Sequence, residues 1–203
     1  MFTGLIEGTG RVVRIAGGSL VVEQTLLRRP PSPGESLAVD GACLTVRSQE
    51  GPRLVFDCSG ETLARTIAGG YAPGTVVNLE RPVALGDLLH GHLVTGHVDC
   101  TARVLRMERT GGGATAWFSF PPEHALLLVE KGSAAVSGIS LTVASLAPDR
   151  FSAALVPETL ERTTAGSWAP GHRVNLEFDI VGKYVVRSTG AALAAGRLRE
   201  QLG

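Results

Sequence analysis

The sequence predicts an all-β protein made of two similar small barrels with a short helical tail. Three observations carry this reading. The chain repeats itself at a spacing of 97 residues (Glu61 to Glu158), its apolar runs are short and β-rich, and glycine and proline punctuate it throughout.

Taken in order, the β-rich runs of the first half are Leu20–Gln24, Leu44–Arg47, Leu54–Asp57 and Val76–Leu79. Those of the second half are Thr115–Phe120, Ser140–Ala144, Phe151–Val156 and Arg173–Phe178. The 26 glycines and 11 prolines supply the turns between them. Gly111-Gly112-Gly113 is followed by neither a helix nor Lys-Ser/Thr, so it reads as a hairpin loop and not a phosphate cradle. Helical patterning is confined to Pro122–Glu130 and the alanine-rich tail Ala191–Leu202. That tail is too short to be stable alone and is expected to pack on something.

The repeat is specific. ETLARTIAGGYAPGTVVNLE from Glu61 matches ETLERTTAGSWAPGHRVNLE from Glu158, and AVDGACLTV from Ala38 matches AVSGISLTV from Ala135. Thr3-Gly4 and Thr9-x-Arg11-Val12 return as Thr95-Gly96 and Thr101-x-Arg103-Val104. Such a period is too long for a solenoid and fits a duplicated domain. The predicted units are 1–93, 94–188 and a tail at 189–203. With about six short strands per half, a closed antiparallel barrel leaves no exposed edge. The best-matched blocks are polar. Packing constrains mainly size and pattern, so repeated polar identity points to two pockets for one ligand.

Composition narrows the classes. Acids and bases balance at 19 each, which argues against nucleic acid or a charged membrane surface as partner. No apolar run approaches the roughly 18 residues of a membrane span. The leader MFTGLIEGTGRVV has no signal-peptide pattern, so Phe2 is expected to belong to the fold. Cys43, Cys58 and Cys100 form no CxxC pair and read as reduced thiols of a cytoplasmic protein. His90, His92, His97 and Cys100 alternate temptingly, but no CxxC or HExxH accompanies them and no metal is expected.

MFTGLIEGTG, GACLTV, GHLVTGHVD, GISLTV and PETLERTT, in this order, resemble the riboflavin synthase family along essentially the whole chain. The resemblance implies two homologous six-stranded Greek-key barrels and a C-terminal helix that assembles a homotrimer. It implies dismutation of two 6,7-dimethyl-8-ribityllumazine molecules into riboflavin and 5-amino-6-ribitylamino-uracil, without cofactor. The active site would lie between subunits, with lumazine synthase as a further candidate partner. Two similar pockets then have a reason, since holding both substrates face to face makes their encounter effectively intramolecular.

Matched motif by motif, the first barrel's pocket is expected to hold Gly4, Leu5 and Ile6, then Cys43, Leu44 and Thr45, then Asp57, Cys58, Ser59, Gly60, Glu61 and Thr62. The second barrel's pocket is expected to hold Gly96, His97 and Val98, then Ser140, Leu141 and Thr142, then Ala154, Leu155, Val156, Pro157, Glu158 and Thr159. The reacting groups implied are His97, Cys43, Lys131, Ser140, Thr142, Asp179, Ser36 and His92. Identical substrates must play different roles, so positions at which the repeats differ are where chemistry is expected. His97 is a candidate for moving the C7-methyl proton, Cys43 for adding at C7, and Lys131 for holding the substrate's anion. Ser137 stands where the family usually has Asp, opposite Asp40 of the first repeat. This predicts altered chemistry in the second pocket and raises a modified lumazine as substrate. A non-catalytic, antenna-type lumazine- or flavin-binding protein is the competing class.

Overall fold

The computed structural model describes residues 1–24 and 29–190. The first half forms β1 (Gly8–Ala16), β2 (Ser19–Gln24), β3 (Ser36–Val39), β4 (Ala42–Glu50), β5 (Arg53–Asp57) and β6 (Val76–Glu80). The second forms β7 (Cys100–Thr110), β8 (Gly113–Ser119), β9 (Ser133–Val136), β10 (Ile139–Ala147), β11 (Arg150–Leu155) and β12 (Arg173–Phe178). Each set closes into an antiparallel barrel. The first runs β1-β2-β5-β4-β3-β6 around the ring, and the second, β10-β11-β8-β7-β12-β9, is the same ring read from another strand.

Alternation fixes which side chains fill each barrel. Along β4, Leu44 and Val46 point inward while Thr45 and Arg47 are exposed; along β10, Leu141 and Val143 point inward while Thr142 is exposed. The first core gathers Val12, Leu20, Leu37, Leu54, Phe56, Val77 and Leu79. The second is more aromatic, with Phe118 5.1 Å from Phe151 and edge-on to Trp168 at 5.6 Å. Register breaks occur at Val12/Arg14 and Val46/Ser48, and again at Val104/Arg106 and Val143/Ser145. An extra residue at such a bulge sharpens local bend and twist, which a six-stranded ring requires. The duplication therefore preserves the bending points as well as the sequence.

After β5 and β11 the chain makes two short helices, α1 (Gly60–Arg65) and α2 (Pro157–Arg162), each followed by a 3-10 turn. Ser59 caps α1 by accepting from Thr62 N at 3.0 Å, and α2 begins with proline at its first position. Thr66 and Thr163 cap the following turns by accepting from Ala68 N and Ala165 N. Neither helix stands out in the sequence, because six residues are too few to display a 3.6-residue period. The helix expected over Pro122–Glu130 is instead a 3-10 turn at Pro122–Leu127. A third helix, α3, covers 180–190. The tail expected at Ala191–Leu202 lies outside the described residues, among which no helix is long and apolar enough to cross a membrane.

The barrels meet across a seam with local two-fold character. Asn78 Nδ2 donates to Ser137 O at 2.9 Å and Asn78 Oδ1 accepts from Thr164 N at 2.8 Å. Reciprocally, Asn175 Nδ2 donates to Asp40 O and Asn175 Oδ1 accepts from Ile67 N, both at 2.8 Å. Both asparagines are buried, and every bond crosses from one barrel to the other.

Candidate active site

The residues leading into each barrel dock on the other one. Phe2 is fully buried against Ala38, Val94 and Ala135, and it pairs with Val94 through bonds of 2.7 and 3.1 Å. Two residues on, Gly4 O accepts from Ser140 N of β10 at 2.8 Å, and Ile6 packs into the second barrel's core. The equivalent segment answers in kind. Gly96 O accepts from Cys43 N of β4 at 2.9 Å, and Val98 packs into the first barrel's core. Gly4 and Gly96 have φ of 79° and 81°. A Cβ on either would fall 2.6 Å from Ser140 Cβ or 2.5 Å from Cys43 Cβ, so only glycine permits this contact.

This exchange corrects the expected grouping. Gly4, Leu5 and Ile6 belong with Ser140 and Thr142 on the second barrel; Gly96, His97 and Val98 belong with Cys43 and Thr45 on the first. Motif matching followed chain order, whereas the docked segments cross over.

On the second barrel, Ser140 and Thr142 share the outward face of β10. Ser140 Oγ lies 2.7 Å from His92 Nδ1, and His92 N donates to Thr3 O at 3.1 Å. His92 is buried, and that desolvation lowers its pKa below the ordinary imidazole value even though Asp179 and Glu177 lie close enough to oppose it. The ring is therefore held neutral near pH 7. Its Nε2 is buried with no partner among the described residues. Asp179 precedes α3 and accepts from Val181 N at 2.9 Å. Lys131 is exposed with φ 66°, anchored by its N–H to Val143 O at 2.8 Å. His92, Ser140 and Asp179 are thus brought together, and a neutral imidazole bonded to a hydroxyl can accept a proton and pass it on.

On the first barrel, Cys43 and Thr45 share the outward face of β4, and Ser36 stands directly opposite Thr45 on β3. His97 is exposed beside Gly96, with its N–H donating to Thr95 Oγ1 at 3.2 Å. Several other expected contacts carry structural duties. Asp57 pairs with Arg47 at 2.7 Å, Glu61 with Arg65 at 3.2 Å and Glu158 with Arg162 at 3.3 Å. Ser59 Oγ is shared between Thr62 N and Thr62 Oγ1, both at 3.0 Å. Leu44, Leu141, Leu155 and Cys58 point into the cores and can offer a ligand only their backbone. Ala154 is exposed on β11, and at the starts of α1 and α2 Gly60, Val156 and Pro157 are exposed and Thr62 and Thr159 half-exposed.

The thiols differ. Burial raises Cys58, and burial with Asp99 and Glu123 nearby pushes Cys100 up to about 12. Among the described residues no three His, Cys, Asp or Glu side chains gather into a metal site.

Ser137 is not in either pocket's reacting face. It is buried at the seam with φ 44°, and its Oγ accepts from Asn175 N at 3.3 Å. Asp40, its equivalent, has φ 45° and accepts from Asn78 N at 2.8 Å and Tyr71 OH at 2.7 Å. Burial pushes Asp40 up to about 7 against those two donors and raises Tyr71 well above the ordinary phenol value. Ser137 thus sits in a turn at the seam, away from the strand faces that carry Cys43 and Ser140.

Sequence reasoning also passed over Glu80 and Glu177, which hold the exchanged segments. Their signal was present, since Asn-Leu-Glu recurs intact at both ends of the repeat.

Comparison with known proteins agrees with the duplicated two-barrel fold. The lumazine binding domain family matches twice, at residues 3–82 and 95–179. The chain is 41% identical over 196 residues to riboflavin synthase of Mycobacterium bovis, covering 92% of this chain and 97% of that one. It is 40% identical over 200 residues to riboflavin synthase of Chlamydia pneumoniae, covering 96% and 98%. The fold matches LumP complexed with riboflavin at a TM-score of 0.79 and 21% identity, covering 88% of this chain and 99% of that one. LumP complexed with 6,7-dimethyl-8-(1'-D-ribityl) lumazine superposes at 0.75 with 22% identity, covering 87% and 98%.

Proposed function

Because this chain belongs to the riboflavin synthase family and carries its lumazine-binding domain twice, we propose that it dismutates two 6,7-dimethyl-8-ribityllumazine molecules into riboflavin and 5-amino-6-ribitylamino-uracil. The observation that carries the reading is the pair of related but unequal strand faces with their docked segments, one presenting Cys43, Thr45 and His97, the other Ser140, Thr142, His92 and Asp179. Equivalent threonines suit recognition of the same ligand, and the unlike residues suit donor and acceptor of the four-carbon unit.

His92 is the better placed of the two candidate bases. Burial keeps it neutral, Ser140 orients its ring, and a neutral imidazole can take the proton released from the C7 methyl group. His97, exposed at the other pocket, is placed to contact the partner substrate. Cys43 and Ser36 border that substrate, and Lys131 can neutralise the anion that proton loss creates.

The second substrate is brought by assembly. Along α3, Val181, Tyr184 and Val185 are exposed at i, i+3 and i+4, an apolar stripe of the kind that subunit contacts cover. A homotrimer joined there would set the first barrel of one subunit against the second barrel of its neighbour. Three free cysteines fit a reducing, cytoplasmic setting.

Incubation with the lumazine alone, without metal or nucleotide, is expected to yield one riboflavin per two lumazines consumed. Tight binding without turnover would move the protein to the antenna class, whose fold LumP shares.

A further inference from the structure

Each exchanged segment ends on one buried carboxylate that the reaction scheme leaves without a task. Glu80, closing β6, is 3% exposed. Its Oε1 accepts from Thr3 N at 2.6 Å, Thr3 Oγ1 at 2.8 Å and Gly4 N at 3.1 Å, and Oε2 also lies 3.1 Å from Gly4 N. Glu177 on β12 repeats the arrangement, with Thr95 N and Thr95 Oγ1 both at 2.7 Å from Oε1 and Gly96 N at 2.9 Å from Oε2.

The anchored residues lead to reacting groups on the other barrel. Thr3 O accepts from His92 N and Gly4 O accepts from Ser140 N, so Glu80 holds the backbone on which the Ser140–His92 pair rests. Gly96 O accepts from Cys43 N and Thr95 Oγ1 accepts from His97 N, so Glu177 holds Cys43 and His97 in the same way. These segments have little strand pairing of their own beyond the Phe2–Val94 bridge. A carboxyl group gathers converging N–H and O–H donors on one side chain, which suits a lone anchor, and its bonds become charge-assisted once it ionises, which burial delays for Glu80 to about pH 7.

We propose that Glu80 and Glu177 are positioning residues of crossed reach, the carboxylate of each barrel setting the geometry of the pocket on the other. The assignment rests on the riboflavin synthase reading for what those pockets do, and on the hydrogen bonds alone for the crossing.

The test uses the full-length protein with Glu80→Gln and Glu177→Gln, which keep side-chain shape and remove the charge. Two reporters are read, and neither depends on turnover. The Cys43 thiol's rate with a maleimide reports the first barrel's pocket, its signal assigned with Cys43→Ala. The His92 ring titration, followed by nuclear magnetic resonance, reports the second. Glu177→Gln is expected to change the Cys43 rate by about tenfold, from the loss of charge-assisted bonds. Because the Glu177 charge itself acts on the His92 ring, the His92 reporter for this arm is read in Thr95→Val, which keeps that charge and is expected to leave the titration in place. Glu80→Gln is expected to shift the His92 titration and leave Cys43 unchanged. Should a Gln variant fail to fold, Thr3→Val and Thr95→Val each remove the two bonds of the threonine hydroxyl, one to the glutamate and one from Leu5 N or His97 N, and are expected to give the same crossed pattern, smaller. Same-barrel effects, both reporters moving together in Glu80→Gln or in a threonine variant, or neither moving would overturn the proposal. A chain inactive on lumazine but crossed in its reporters would lose the riboflavin reading and keep this one.

Discussion

Replacing Ser137 by Asp is expected to stabilise the protein and leave turnover unchanged. The backbone at Ser137 has φ 44°, in the left-handed region where Asp is enriched among non-glycine residues. The larger gain comes from Trp168. Its Nε1 is buried without a partner among the described residues, whereas the equivalent Tyr71 OH donates to Asp40 at 2.7 Å. An unsatisfied buried donor costs about 1–3 kcal/mol. Aspartate extends an acceptor further than the serine hydroxyl, along the path Asp40 takes toward Tyr71. Burying a second carboxyl opposes this, as the rise of Asp40 to about 7 shows. The net gain is about 1 kcal/mol, or roughly 2–4 °C in Tm for a chain of this size. Thermal unfolding by circular dichroism at mildly acidic pH, alongside lumazine turnover, measures both quantities. A lower Tm would mean that the indole cannot be reached from this turn. A changed kcat at constant Tm would return Ser137 to the chemistry and refute the seam assignment.

Asn175→Ala removes partners from both Ile67 N and Asp40 O across the seam, so it is expected to cost about 2–4 kcal/mol, read from urea unfolding. His92→Gln is expected to lower kcat about 10²–10⁴-fold with a smaller effect on lumazine affinity, and an unchanged kcat would remove His92 as the base. Asp40 and Glu80 are both raised to about 7 by burial, so the folded state binds more protons than the unfolded chain between the ordinary carboxylate range and that value. Their contribution to stability is full at low pH and is lost as pH rises through about 7. Asp40→Asn is therefore expected to flatten the fall of Tm between mildly acidic and mildly basic pH, and an unaltered slope would count against it.

The duplication was legible because polar blocks such as ETLxRT and Asn-Leu-Glu recur with fixed spacing. Eight of the twelve strands showed as β-rich runs; β3 and β9, only four residues each and nearly all buried, have no alternation to display, and β1 and β7 are interrupted by a bulge and carry several arginines. The helical reading at Pro122–Glu130 failed because two prolines and a tight connection favour a 3-10 turn. The pockets were half legible. Thr45, Thr142, Cys43 and Ser140 fall on outward strand faces, where the motifs' residues can meet a ligand. Which barrel Gly4 and Gly96 serve was not legible, since nothing in a local pattern says where a leading segment docks. That Ser137 lies in a buried turn at the seam was not legible either, since an asymmetric turn residue looks, in one dimension, like a reacting one.

The reciprocal exchange of leading segments is the geometry of an isologous dimer with swapped ends, here contained in one chain. In a dimer of half-length chains, completing either pocket depends on protein concentration, and every substitution appears in both pockets at once. Joining the halves through the stretch between Glu80 and Val94 removes the concentration term. It also lets one pocket keep Cys43 while the other takes Ser140, and lets Leu5 stand where its counterpart is His97. A reaction in which two copies of one molecule must behave differently needs that freedom, and a strictly symmetric pair of pockets cannot supply it.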